Sequence, residues 1–205
     1  MVFQQDIGIP MGSDPAPFFA NLFLYHYESS WIKLIKKTNP VLARKFGNTF
    51  RYIDDLLAAN DGNSFESFYR DIYPEELELG KENSTCSETN FLDLNIFIKN
   101  GVFSTKLYDK RDYFDFDIVR LPHRSSNIPS KMFYASIAAE CLRICRATSS
   151  LDMVLSSVAS LLTRMTKQGG QRTTMKMYIK RTLNKHKIYI KFNTSNEILI
   201  DRLFA

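Results

Sequence analysis

Cysteine is scarce in this chain. Three residues in 205, at positions 86, 141 and 145, do not make the disulfide framework of a small secreted domain. Cys141 and Cys145 lie four apart on a helical pattern and so share a face. No further zinc ligands stand near them, which points to buried thiols in a reducing compartment. Also missing is any apolar run of the ~20 residues that cross a bilayer as a helix. The opening residues Met1-Val2-Phe3-Gln4-Gln5-Asp6 lack the basic start and apolar core of a secretory signal. The expectation is an intracellular protein, of the cytoplasm or the nucleus, without a membrane partner. Asn-x-Ser/Thr triplets at Asn83 and Asn193 then carry little meaning. No repeat or low-complexity tract interrupts the chain.

What is present is enough for a packed core. The apolar share is 44% and aromatics reach 13%, which excludes wholesale disorder. The net charge of +5 and the isoelectric point near 9.0 suit a polyanionic partner.

The segment Phe50-Arg51-Tyr52-Ile53-Asp54-Asp55-Leu56-Leu57-Ala58-Ala59-Asn60 organises the reading. Two strand-like runs flank adjacent acids, which predicts a β-hairpin with Asp54 and Asp55 as its two-residue tip. Acids inside an apolar run need compensation, and a divalent cation supplies it. Mg²⁺ takes carboxylate oxygens, keeps several waters and completes its shell with substrate phosphates. Two such ions clamp the attacking and leaving oxygens of a phosphoryl transfer. By themselves the four letters also describe an ordinary turn, because turns favour Asp.

Three motifs in order carry a resemblance. Tyr52-Ile53-Asp54-Asp55 resembles the Tyr-x-Asp-Asp box of reverse transcriptases. Upstream, Gly8-Ile9-Pro10-Met11-Gly12-Ser13-Asp14-Pro15-Ala16-Pro17 resembles that family's Gly/Pro-rich loop before the long palm helix. Downstream, Phe91-Leu92-Asp93-Leu94-Asn95-Ile96 resembles the start of the primer-grip hairpin. The likeness covers residues 7–110 by motif and the remainder by position. The Pro-Met-Gly and Phe-Leu-Asp-Leu forms look most like eukaryotic retroelements of the Penelope-like or a related non-retroviral type.

The resemblance implies an α+β fold: a partial polymerase palm, an antiparallel sheet with helices, over residues 1–120. A helical thumb follows over 121–168 and a basic extension over 169–205. It implies an RNA-directed DNA polymerase acting on an RNA template, a DNA primer and deoxynucleotides, with two Mg²⁺ (or Mn²⁺) ions. Asp54 and Asp55 would be catalytic and metal-binding. Gly8, Pro10, Met11, Gly12 and Tyr52 would line the nucleotide and template pocket. Lys81 matches by position the lysine near the leaving pyrophosphate, where it would act as general acid. The alternative is a solvated surface lysine.

The chain departs from the family in two ways. The first catalytic aspartate, carried by a strand well before the Gly/Pro loop, has no counterpart, and neither has the fingers region. Met11 stands where many relatives carry Gln. The expectation is the rear half of such an enzyme, inactive alone, with an open palm-sheet edge able to pair with another chain. The alternative is a retroelement remnant that binds nucleic acid without chemistry.

Local patterns fill in the rest. A strand at Val2–Gln5 is expected, then a helix from about Ala16 to Lys37 with Phe19, Leu22, Phe23, Ile32 and Ile35 as its apolar positions. Asn39-Pro40 breaks it. Ser64 is expected to cap a helix over 65–73 that Pro74 ends. Leu77–Lys81 alternates like a strand. Phe91–Ile98 and Val102–Tyr108 alternate around Lys99-Asn100-Gly101, a strong hairpin signal whose tip would touch the primer. Lys110, Arg111, Arg120 and Arg124 mix with Tyr113, Phe114 and Phe116, a composition able to stack unpaired bases. From Ser130 to Lys167 the pattern is helical, interrupted near Thr148–Ser150, and Gly169-Gly170 is a flexible break. Arg172, Lys176, Lys180 and Arg181, with Lys185 and Lys187, follow with no acid between Met153 and Asn196, the footprint of a phosphate-binding face. Ile188–Ile190 is expected as a last strand.

Overall fold

The computed structural model describes residues 8–10, 12–59, 62–82, 85–116 and 118–205. The expected strand at Val2–Gln5 and the pocket residue Met11 lie outside them. The fold is mixed α+β, with eight α-helices and two small antiparallel sheets among the described residues. No helix there is long and apolar enough to cross a membrane. The chain forms two compact units, Met1–Glu82 and Asn83–Ala205.

The first unit holds α1 (Ala16–Thr38), α2 (Pro40–Lys45), the hairpin β1 (Thr49–Tyr52) and β2 (Asp55–Ala58), and α3 (Ser64–Ile72). Pro15 and Pro17 suit the first turn of α1, where a missing N–H is harmless. Asn39 ends α1 and caps α2, its side chain accepting from Leu42 N at 3.1 Å. The cap of α3 is Asn63, in the left-handed region at φ 62°, so Ser64 is the first helical residue and not the cap. Tyr73 turns extended ahead of Pro74, as the proline ring requires. The expected strand at Leu77–Lys81 does not form; the alternation is short and no strand pairs with it among the described residues.

An aromatic cluster binds this unit. Trp31 of α1 meets Phe46 edge-on at 4.7 Å, and Phe46 and Tyr73 each approach the buried Phe65 of α3. The first half of α1 is another matter. Phe19, Leu22 and Phe23, apolar positions of its helical pattern, are each about half exposed. Among the described residues of this unit a 23-residue helix has a two-stranded hairpin and short helices beside it, which supply too little surface to cover it.

The second unit pairs a three-stranded sheet, β3 (Glu88–Phe91), β4 (Leu94–Lys99) and β5 (Val102–Leu107), with helices α4 (Ser130–Ala147), α5 (Leu151–Lys167), α6 (Arg172–Lys185), α7 (Ile188–Lys191) and α8 (Asn196–Phe204). The stretch read as one strand over Phe91–Ile98 is cut by a turn at Leu92-Asp93, because Phe91 pairs with Leu94. Asn100 and Gly101, at φ 51° and 75°, make the β4–β5 turn, as their composition predicts.

Helical periodicity builds the core. Phe133, Ile137, Cys141 and Cys145 on α4, Val154, Val158 and Leu162 on α5, Met175, Ile179 and Leu183 on α6, and Leu199 and Leu203 on α8 are all buried. The sheet joins this core through Leu107, and Thr105 bonds to the end of α4 at Ala147 O, 2.7 Å. Arg111 holds the Asp109 carboxyl below the usual carboxylate range through a double hydrogen bond.

Two local predictions change. Gly169-Gly170 is no loose break but a tight helix end. Gly169 N and Gly170 N donate to Thr166 O and Met165 O at 3.0 and 2.9 Å, with Gly169 at φ +85°. A Cβ on Gly170 would stand 2.8 Å from Met165 O and 3.3 Å from Phe133, so side chains are excluded there. Residues 188–190 form the helical turn α7 and not a strand. The turn buries Ile188 and brings Lys191 Nζ to the carbonyls of Cys145, Arg146 and Thr148 at 2.8, 2.9 and 2.7 Å. The lysine thus closes the open C-terminal end of α4.

The core predicts its own test. Leu199→Ala should destabilise the protein by about 2–5 kcal/mol, read from urea unfolding. Its exposed neighbour Ile198→Ala should change stability by under ~0.5 kcal/mol. Equal, small effects would mean that α8 is not part of the core.

Candidate functional site

The acidic turn of the first unit is the site best defined by geometry. Tyr52 pairs with Asp55, Arg51 with Leu56 and Phe50 with Leu57. The two-residue loop is therefore Ile53-Asp54, one position earlier than the Asp54-Asp55 tip read from sequence, and Asp55 opens β2. This register sets Leu56 beside Arg51 on the face turned to α1 and leaves Tyr52 and Asp55 together on the other. Asp54 and Asp55 are exposed, so neither bears the burial cost expected of acids within an apolar run.

Ile53 has φ 54°. A positive φ at the first loop residue alone is the pattern of a type II′ turn, which favours glycine there. A β-branched residue in that region is strained by about 1–3 kcal/mol, and persists only where its surroundings hold it.

The holding group is Arg51, whose side chain is 14% exposed. Its Nε and Nη2 donate to Glu28 Oε1 and Oε2 of α1 at 2.6 and 3.2 Å. Its Nη1 donates to Asn21 Oδ1 at 2.7 Å and to the Ile53 carbonyl at 3.2 Å. Glu28 accepts a further bond from Tyr73 OH at 2.7 Å. One guanidinium thereby ties the strained loop to two turns of α1 and, through Glu28, to the end of α3. Burial pushes the Tyr73 phenol well above its usual range, and its bond to the Glu28 carboxylate acts in the same direction. Arg51, Glu28, Asn21 and Tyr73 belong to none of the roles that the motifs imply. The available signal was the alternation Phe50-Arg51-Tyr52, which turns a charge inward and so demands partners.

The loop ahead of α1 is open. Gly8 and Gly12 adopt φ 95° and 89°, and nothing lies within 4 Å of a Cβ built on Gly12. Ser13 Oγ donates to Pro10 O at 3.2 Å, and Ser13 O accepts from Ala16 N, so the loop runs straight into the helix that carries Asn21 and Glu28. Tyr52 is 58% exposed on the outward face. Lys81 lies outside any strand, and its Nζ donates to Glu66 Oε2 of α3 at 2.8 Å.

Comparisons of this chain with protein-family models, with curated proteins and with solved structures return no match. The site therefore rests on its own chemistry. Two adjacent, exposed carboxylates fit a Mg²⁺ ion that keeps most of its waters. Among the described residues no cluster of three or more His, Cys, Asp or Glu is present.

The remaining predicted residues fall in the second unit. Lys99, Asn100 and Gly101 form the exposed β4–β5 turn. On α6, Lys176 pairs with Asp201 at 2.9 Å and Lys180 with Glu197 at 3.5 Å, while Arg172 donates to the carbonyl of Phe204. The acid-free stretch of sequence thus meets acids from α8 in space. Arg181, exposed, has no ion pair among the described residues.

Tyr73 gives a pH test. Its phenol pKa is raised on folding, so the stability it contributes is complete below the pKa of an ordinary tyrosine and is lost as pH rises through the folded value. In an ultraviolet titration Tyr73 should give a late ionisation step above the ordinary tyrosine range. Tyr73→Phe should remove that late step, and its persistence in the variant would refute the assignment.

Proposed function

We propose that this chain performs the metal-bound part of reverse-transcriptase chemistry: nucleotidyl transfer that copies an RNA template onto a DNA primer. The observation that carries the reading is the Tyr52–Asp55 turn. A strained two-residue loop presents two exposed carboxylates at a hairpin tip, tied to the helix that the Gly8–Gly12 loop enters. Asp54 would be the principal ligand and Asp55 the second. Mg²⁺, when bound, supplies charge neutralisation at the phosphates and alignment of the reacting oxygens. In the reaction the primer 3′-hydroxyl attacks the α-phosphate of a deoxynucleotide and pyrophosphate leaves. Tyr52, beside Asp55 on the outward face, would pack at the primer end, and Gly8, Pro10 and Gly12 would shape the pocket wall. Lys81 would protonate the leaving group, and would have to part from Glu66 to do so. The second unit would hold the template–primer duplex, with the β3–β5 sheet as primer grip and the helices as thumb.

Two carboxylates hold one divalent ion weakly and a second one poorly, so primer extension by this chain in Mg²⁺ should be slow or undetectable. Metal binding is then the sharper measurement. Mn²⁺ should broaden the amide signals of residues 52–56, and Asp54→Asn or Asp55→Asn should abolish the effect. Broadening only elsewhere, or vigorous primer extension that survives Asp54→Asn, would remove the polymerase reading. Retention of an RNA–DNA duplex without that metal signal would favour a protein that binds nucleic acid without catalysis.

A further inference from the structure

We infer that Arg51 is the positioning residue of the acidic turn: it sets the aspartate pair in its ligand geometry by gripping the Ile53 carbonyl and α1 at once. The inference rests on the polymerase reading and deepens it, since it says what keeps that site assembled. Four facts lead to it. The loop contains a β-branched residue at φ 54°, which does not hold that conformation unaided. The carbonyl of that same residue accepts from Arg51 Nη1 at 3.2 Å. The rest of the guanidinium is fully used, with bidentate bonds to Glu28 and a bond to Asn21 Oδ1 at 2.7 Å. Glu28 is itself fixed by Tyr73 OH at 2.7 Å.

The chemistry demands arginine. A guanidinium presents a planar fork of donors, which reaches a carboxylate, an amide oxygen and a main-chain carbonyl together. Lysine is a point charge with a single nitrogen. It retains one or two of those bonds and orients the loop only in part. Loss of the fork frees Ile53 to return to negative φ, and the Asp54 carboxylate turns with it. Arg51 touches no substrate and no metal. Its influence passes through the loop backbone, as with residues behind a metal ligand, whose loss reduces metal affinity by roughly 10- to 100-fold.

The test uses the full chain with Mn²⁺ as probe. Free Mn²⁺ is counted by electron paramagnetic resonance, and amide exchange at residues 53–56 is measured without metal. Arg51→Ala should weaken Mn²⁺ binding at least roughly tenfold and speed exchange at the loop. Arg51→Lys and Glu28→Gln should fall between it and the parent. In the Arg51→Ala background, Ile53→Gly should recover part of the affinity, because glycine adopts positive φ freely. Leu199→Ala, which removes buried volume in the core of the second unit, should destabilise the fold and leave Mn²⁺ affinity unchanged. If the parent binds Mn²⁺ at the turn and Arg51→Ala and Arg51→Lys bind equally well, the positioning role is refuted and the polymerase reading stands. If the parent binds no Mn²⁺ at the turn, the polymerase reading falls and the positioning role falls with it.

Discussion

An arginine on the inward face of a two-stranded hairpin must find acceptors, or the hairpin does not form. In the first unit that requirement is met by Glu28, Asn21 and the Ile53 carbonyl, and much else follows from it. The bidentate bond to Glu28 fixes how β1 lies on α1. The bond to Ile53 supports a turn that its own residue type disfavours. Glu28 also receives Tyr73, so the end of α3 is drawn to the same point. The aromatic cluster of Trp31, Phe46, Phe65 and Tyr73 fills the space beside this network without directing it. Packing gives the unit its bulk, and the ionic knot gives its acidic tip a direction.

The second unit is ordered by a different constraint. Helix α6 is polar by composition, yet it buries Met175, Ile179 and Leu183 completely, a stripe spaced by four residues. Lys176 and Lys180 flank that stripe, one position after Met175 and Ile179, and α8 meets them with Asp201 and Glu197 while placing Leu199, Ile200 and Leu203 in the core. Lysines in a stretch without acids are therefore partly matched by acids some 20 residues further along the chain. A sequence that looks like a free polyanion footprint is in part a helix–helix contact. Arg181 has no such acidic partner among the described residues.

Some local structure was legible from residue type alone, and the three turns show where that stops. Asn100-Gly101 was readable because both residues tolerate positive φ and the flanking runs alternate. Ile53-Asp54 was placed one residue late, and Leu92-Asp93 was read straight through as strand. Each of these carries an aliphatic residue at positive φ, at 54° and 55°, where propensity argues against a turn. Tertiary contacts overrule propensity at both. Arg51 holds the first, and Arg143 of α4 pairs with Asp93 of the second at 2.9 Å. The exposed aromatics of α1 mark a similar limit. Helical spacing identified an apolar face, but whether anything covers such a face depends on what else folds beside it.

By its own periodicity the sequence determined the helices of residues 130–167, the existence of the hairpin around the two aspartates, the Asn-Gly turn and the helix break at Asn39-Pro40. These depend on neighbours within a few positions, where spacing and backbone preference act directly. Only the tertiary structure decided the register of the acidic turn, the partners of Arg51, the pairing of α6 with α8 and the helical state of residues 188–191. Each of those turns on a bond between residues tens of positions apart, Arg51 with Glu28 or Lys191 with the end of α4. Local preference is too weak to fix such choices, and charge satisfaction in a closed interior makes them.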